Sequence, residues 1–215
     1  MPKRHTEADI QRTPVRLSLF RWAGQWGPIR IIVPCGECSL TSDIIADVLD
    51  QELAGIPVRF EARDWLSEWW RPLFRGGWHA PIVMVEGKII SQGAALNRGV
   101  LAQAVIEAYA RKNRIVRNVL FGKQGCPHCE RAKEYLGHAH IRFEYRDVIR
   151  DPAALYEMLV RTKPIIGAAT PITVPQIWLD GHYIGGAEEL GRILHQQVEP
   201  NPERGQCSLS PNRIL

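Results

Sequence analysis

Apolar and polar positions change period several times along this 215-residue chain. Val15, Leu17 and Leu19 alternate with Arg16 and Ser18, which predicts a strand over Val15–Trp22. Gly24, Gly27 and Pro28 break it, and the short apolar run Ile29–Val33 leads into Pro34-Cys35-Gly36-Glu37-Cys38. Leu40, Ile44, Ile45, Val48, Leu49 and Leu53 then recur at helical spacing until Gly55 and Pro57 stop them. Val58–Ala62 reads as a strand, and the aromatic-rich Asp64–Phe74 as a short helix plus loop closed by Gly76-Gly77. Pro81–Val85 and Lys88–Ser91 are two strands turning at Glu86-Gly87, followed by an amphipathic helix over Leu96–Ala110. Arg111–Arg114, basic and polar, reads as a linker.

The order then starts again. Ile115–Phe121 is a strand, Cys129–Leu136 a helix and Ile141–Val148 a strand. Pro152 opens a helix over Ala153–Arg161, at an early position where proline is tolerated. Val174–Leu179 and His182–Ile184 turn at Asp180-Gly181, and Glu188–Gln197 is the last helix. The halves match at four stations. Each has an apolar run entering Cys-x-x-Cys. Arg59-Phe60-Glu61-Ala62-Arg63-Asp64 is echoed by Arg142-Phe143-Glu144-Tyr145-Arg146-Asp147, and Pro81-Ile82-Val83 by Pro175-Gln176-Ile177. Gly87 and Gly181 each follow that proline at the same distance. Four stations in one order mark two copies of one α/β unit. Strands separated by helices imply parallel pairing, and the closing pair implies an antiparallel hairpin.

The chemistry centres on Gly125-Cys126-Pro127-His128-Cys129. A strand before it and a helix after it put Cys126 at a helix N-terminus, where unpaired N–H groups and the helix dipole favour a thiolate. Pro127 suits the first helical position, and Cys129 lies on the same helical face as Cys126. The pattern predicts an exposed thiolate that attacks a disulfide and a second thiol that resolves the mixed disulfide. The alternatives are a zinc half-site, since Cys35 and Cys38 supply a second pair, or simply two buried thiols.

Composition narrows the class. A net charge of +4 and the lack of a dense Lys/Arg run give no footprint for nucleic acid. No stretch is long and apolar enough to span a membrane, and residues 1–13 lack the apolar core of a signal peptide. The expectation is a cytoplasmic protein, where a Cys-x-x-Cys is catalytic more often than structural.

Cys-x-x-Cys after the first strand, in the order β-α-β-α-β-β-α, resembles a thioredoxin-like fold. The expected fold class is α/β: two tandem thioredoxin-like domains, each a mixed β-sheet flanked by helices. The expected segments are an arm over 1–14, domains over 15–110 and 115–197, a linker over 111–114 and a tail over 198–215. Residues 115–197 resemble a dithiol glutaredoxin more closely. Lys123, Cys126-Pro127-His128-Cys129, Thr173-Val174-Pro175-Gln176-Ile177 and Asp180-Gly181-His182-Tyr183-Ile184-Gly185-Gly186-Ala187-Glu188-Glu189-Leu190 carry that likeness.

The resemblance implies Cys126 as nucleophile, Cys129 as resolving thiol and Pro175 as a cis-proline, with Val174 pairing to substrate backbone. It implies glutathione as reductant, bound by Lys123, His128, Thr173, Val174, Gly185 and Gly186, with its γ-glutamyl carboxylate on the N–H groups of Ala187 and Glu188. Protein disulfides are the implied substrates, glutathione reductase and NADPH the indirect electron source, and no bound metal is expected. The connection Lys163–Ile172 is longer than the family's usual one, and Arg161 and Lys163 are candidates for a glutathione contact there. Residues 15–110 resemble the wider superfamily only: Cys35 and Cys38 match the redox pair and Ala80-Pro81 the cis-proline loop, but Ser91-Gln92-Gly93 stands where glutathione would bind. Glu37, between the cysteines, disfavours a Cys35 thiolate and leads to the expectation of a more reducing pair. Trp65, Trp69, Trp70 and Trp78 read as core filling between helix and sheet, with a docking surface for a protein disulfide as the alternative. Cys207 reads as an incidental thiol in the tail.

Three readings compete: a glutathione-linked thiol–disulfide oxidoreductase with electron relay between its two pairs, a metal or iron–sulfur cluster carrier using the same thiols, or an enzyme in the C-terminal half with a non-catalytic substrate-binding module before it.

Overall fold

The computed structural model describes residues 12–32, 35–167 and 169–198. Most of the N-terminal arm, the tail over 199–215 and Cys207 lie outside the described residues.

The first half forms β1 (Val15–Arg21), a hairpin of β2 (Gly24–Trp26) and β3 (Ile29–Ile31), α1 (Gly36–Gln51), β4 (Val58–Asp64), the short helices α2 (Trp65–Glu68) and α3 (Trp70–Leu73), β5 (Ile82–Val85), β6 (Lys88–Gln92) and α4 (Arg98–Lys112). The second half forms β7 (Val119–Gly122), α5 (Pro127–His138), β8 (Glu144–Asp147), α6 (Pro152–Ile166), β9 (Gln176–Leu179), β10 (His182–Gly185) and α7 (Ala187–Val198). Each half has one four-stranded mixed sheet with the same connectivity, β4-β1-β5-β6 and β8-β7-β9-β10. The first two strands run parallel (Val15 opposite Val58, Val119 opposite Glu144), and the closing pair is antiparallel.

The alternation read in β1 is the reason that sheet has a core. Val15, Leu17 and Leu19 are fully buried on one face against Ile45 and Val48 of α1 and Leu101 and Val105 of α4. Each such side chain contributes about 1.5–3 kcal/mol by leaving water. Leu120 and Ile177 do the same against Ala132 and Leu136 of α5 and Leu190 of α7.

The other faces differ. In the second half, Val119, Phe121 and Trp178 lie under Ala154 and Met158 of α6, a helix of 15 residues. In the first half, Phe20, Ile82 and Met84 form a small cluster with Trp65 and Ile89, where two four-residue helices stand in place of a long one.

α6 also faces the first half, where Ala153, Tyr156 and Val160 join the α1–α4 core. Arg161 donates from Nη1 to the Ala110 carbonyl at 3.3 Å and from Nη2 to the Asn113 carbonyl at 2.6 Å, capping the end of α4. Glu157, buried, pairs with both Arg161 and Arg146.

Three expectations change. The apolar run Ile29–Val33 is not the strand that feeds Cys35: β3 is a leg of a separate hairpin, and the sheet strand is β1. The helix read over Leu96–Ala110 continues to Lys112, so part of the segment read as linker is helical. α6 runs to Ile166 with Pro164 inside its last turn, so the start of the segment read as a long connection is helix. No helix among the described residues is long and apolar enough to cross a membrane.

Candidate active site

β7 ends at Gly122, and a tight turn with Gly125 at φ +68 delivers the chain to α5. Cys126 is the N-cap of that helix in an extended conformation, and Pro127 is in its first turn. The Cys126 sulfur accepts the Cys129 N–H at 3.3 Å, as a capping oxygen would. A thiolate there is met by a helix N-terminus and its dipole. The Cys126 Sγ lies 3.9 Å from the Val174 carbonyl oxygen, and the Val174–Pro175 bond is cis. The site therefore joins the start of α5 to the loop before β9.

Cys126 is only 5% exposed, which corrects the expectation of an exposed thiol. The Val174–Pro175 loop stands over it. Cys129 is fully buried, and burial pushes its thiol from 9.0 up to about 11, with the neighbouring Cys126 adding to the rise. A hydrogen bond from the Lys123 N–H and the charge of Lys133 pull the other way.

Cys35 and Cys38 repeat the arrangement with differences. Cys35 is the N-cap of α1 but makes no side-chain capping bond, and it is half-exposed. Its sulfur lies 2.8 Å from that of Cys38. Cys38 is buried, accepts the Trp22 N–H at 3.2 Å, and is pushed up to about 11 by burial, then by Cys35. The backbone N–H just past the first strand thus meets the second cysteine in both halves, from Trp22 in one and Lys123 in the other. Trp22 is separated from Cys35 by the β2–β3 hairpin, whereas only Gln124-Gly125 separate Lys123 from Cys126. Ala80–Pro81 is also cis, and Glu37 is exposed in the first turn of α1.

Among the residues the resemblance tied to glutathione, Lys123, His128 and Thr173 are exposed, Val174 is half-buried and Pro175 is buried. Gly185 and Gly186 precede Ala187 and Glu188 at the start of α7. Sequence reasoning gave no role to Glu189, whose Oε2 accepts the Gly186 N–H at 3.0 Å and whose Oε1 binds Arg192 at 2.9 Å. A Cβ at Gly185 would lie 3.1 Å from Glu189 Cγ, and one at Gly186 3.2 Å from its Oε2, so these glycines make room for Glu189. Hydrogen bonds from its own N–H and that of Gly186 hold the Glu189 carboxyl below the usual range. The Gly-x-x-Glu spacing of a capping box was the available signal.

Other readings move. Arg161 is committed to Glu157 and the end of α4, which removes it as a glutathione contact. Lys163 lines a groove between α4 and α6 with Asn97, Val100 and Tyr156, not the cysteine site. The core-filling reading of the tryptophans holds only for Trp65, which stacks on Trp22 at 5.2 Å. Trp69, Trp70 and Trp78 are exposed, because the short α2–α3 segment offers no second layer to bury them. Among the described residues no group of three His, Cys, Asp or Glu could hold a metal ion, so the two thiol pairs do not meet as one four-thiolate site.

The Glutaredoxin family model matches residues 118–184. Glutaredoxin 1 of Escherichia coli K12 is 40% identical over 89 residues, covering 39% of this chain and 99% of the relative. Glutaredoxin 3 of the same strain is 32% identical over 71 residues, or 33% of this chain and 77% of the relative. The solution structure of glutaredoxin from Brucella melitensis is 26% identical, with a TM-score of 0.31 over 39% of this chain and 84% of that one.

Proposed function

The chain belongs to the glutaredoxin family through its C-terminal half and is a thiol–disulfide oxidoreductase, and from that premise we propose that it reduces protein disulfides or glutathione mixed disulfides at the expense of glutathione. The observation that carries this reading is Cys126 at the cap of α5, its sulfur on the Cys129 N–H and facing the Val174 carbonyl. The Cys126 thiolate attacks a substrate disulfide, and one substrate sulfur leaves and takes a proton. Cys129, deprotonated, then attacks Cys126 Sγ and releases the second substrate thiol. Two electrons leave the dithiol, which becomes a Cys126–Cys129 disulfide; two glutathione molecules reduce that bond back to two thiols and leave as glutathione disulfide, which glutathione reductase and NADPH recycle.

Lys123, His128, Thr173, Val174 and Pro175 would line the glutathione groove on one side, and Gly185, Gly186, Ala187 and Glu188 on the other. The two halves, 15–110 and 115–197, would act as separate redox modules in the cytoplasm, Cys35 and Cys38 passing electrons to or from Cys126 and Cys129 with Ala80-Pro81 over the first pair. Exposed Trp69, Trp70 and Trp78 favour a protein, not a tripeptide, as the partner of that first pair.

The test is glutathione-dependent reduction of a small mixed disulfide, coupled to NADPH oxidation through glutathione reductase, in the full chain, Cys126→Ser and Cys35→Ser. Activity lost with Cys126→Ser and kept with Cys35→Ser is the expected outcome. An inactive wild-type chain would refute the dependence on glutathione.

A further inference from the structure

Cys129 is fully buried, yet the proposed reaction requires its thiol to lose a proton. Lys133 lies one turn further along α5, on the same face. Its Nζ is 2.9 Å from Glu130 Oε1 and 4.2 Å from the centroid of the Tyr145 ring. A third element closes the arrangement: a Cβ on Gly122 of β7 would lie 3.2 Å from Cys129 Sγ and 3.0 Å from Tyr145 Cε2. Thiol and ring thus border one narrow gap, and the buried Tyr145 hydroxyl has no hydrogen-bond partner there.

The groups acting on Cys129 are Cys126 and Lys133 from α5 and the Lys123 N–H from the preceding turn. Those around Tyr145 of β8 are Lys133, Asp147, Cys129 and Glu130. Lys133 is the cation in both sets. An ammonium held one helical turn from a buried thiol favours the thiolate, because the thiol end of the pair is out of water.

We propose that Lys133, held by Glu130 over Tyr145, is a positioning residue that makes the Cys129 thiol ionisable for the resolving step, and so sets the rate of dithiol turnover but not of monothiol turnover on glutathione mixed disulfides. The inference rests on the reading of Cys126 as nucleophile. In the step concerned, Cys129 gives its proton to water and its thiolate attacks Cys126 Sγ. The Cys126–Cys129 bond forms, the bond to the substrate sulfur breaks, and the substrate leaves as a thiolate that water protonates.

The full chain in a Cys35→Ser/Cys38→Ser background is loaded at Cys126 with thionitrobenzoate, and release of the coloured thiol is followed across pH. Lys133→Met is expected to slow release about tenfold at neutral pH and to move the midpoint of the profile up by about one unit, the two proteins converging at high pH. Lys133→Arg restores most of the rate. In a further Cys129→Ser background, turnover of a glutathione mixed disulfide is the same with and without Lys133→Met. An unchanged midpoint, or a loss equal at every pH, would overturn the role of Lys133. Release that persists unchanged in Cys129→Ser would overturn the underlying assignment of Cys129 as resolving thiol, and the inference with it.

Discussion

The two cysteine pairs share a local plan and differ in what surrounds it. In both the first cysteine is the N-cap of a helix, both halves carry a cis X–Pro bond, and both set the second cysteine on a backbone N–H past the first sheet strand. Around Cys126 the chain is close-fitting and rich in glycine: Gly122, Gly125, Gly185 and Gly186 border the thiols or the start of α7. Ahead of Cys35 a hairpin is inserted, the thiol is half-exposed, and Trp22, whose N–H meets Cys38, is itself part-exposed. A redox plan written in a few residues can thus sit behind a covering loop, with its first thiol buried, or with that thiol part-exposed. The second coordinate of difference is α6, which packs on one face of the second sheet, where the first half has two four-residue helices.

The largest test of that asymmetry is Glu157→Ala. Removing this buried carboxylate leaves Arg161 with carbonyl partners only and Arg146 with Asp151 and Glu144, and a loss of about 3 kcal/mol in denaturant unfolding is expected. The two halves should separate into distinct unfolding transitions if α6 is what holds them together.

Next in size is the alkaline limb of stability under reducing conditions. Cys38 and Cys129 are both raised from 9.0 to about 11. The folded chain therefore holds two thiol protons that the unfolded chain releases above pH 9. Stability is fully present below pH 9 and falls towards pH 11, by up to about 3 kcal/mol for each thiol. Cys38→Ala and Cys129→Ala should each flatten that limb, and by similar amounts, if the pairs are equivalent at this level.

Gly122→Ala comes third. Its Cβ would press on Leu120 and Tyr145, both at 3.0 Å, and on Cys129 at 3.2 Å, costing about 1–3 kcal/mol by overpacking. Arg21 occupies the same station in the first half, in a part-exposed ion pair with Asp64 at 2.8 Å. Arg21→Ala should cost no more than about 1 kcal/mol in the same unfolding assay. The smallest effect on stability is expected for Trp70→Ser and Trp78→Ser, within about 0.5 kcal/mol. Both should nevertheless slow reduction of a protein disulfide at Cys35 while leaving mixed-disulfide turnover at Cys126 unchanged.

Strong local signals determined much of this molecule before any contact was known. The alternation of Val15, Leu17 and Leu19 selects a sheet face, and the Cys-Pro-x-Cys spacing selects a helix cap, because both depend on backbone geometry within a few residues. The repeat of Arg-Phe-Glu-x-Arg-Asp and of the proline and glycine stations set the shared topology of the two sheets. Tertiary structure decided what these patterns leave open. Ile29–Val33 is as apolar as a core strand, yet Ile29 is half exposed, because β1 already fills the sheet position. Trp69 follows Trp65 at helical spacing, yet it and Trp70 have no layer to pack into, and Arg161 has the charge of a ligand contact but faces the end of α4. Burial, the depth of a thiol and the partner of a cation depend on which distant segment arrives beside them. Periodicity along a chain records a preference for leaving water; it does not record whether a partner surface exists.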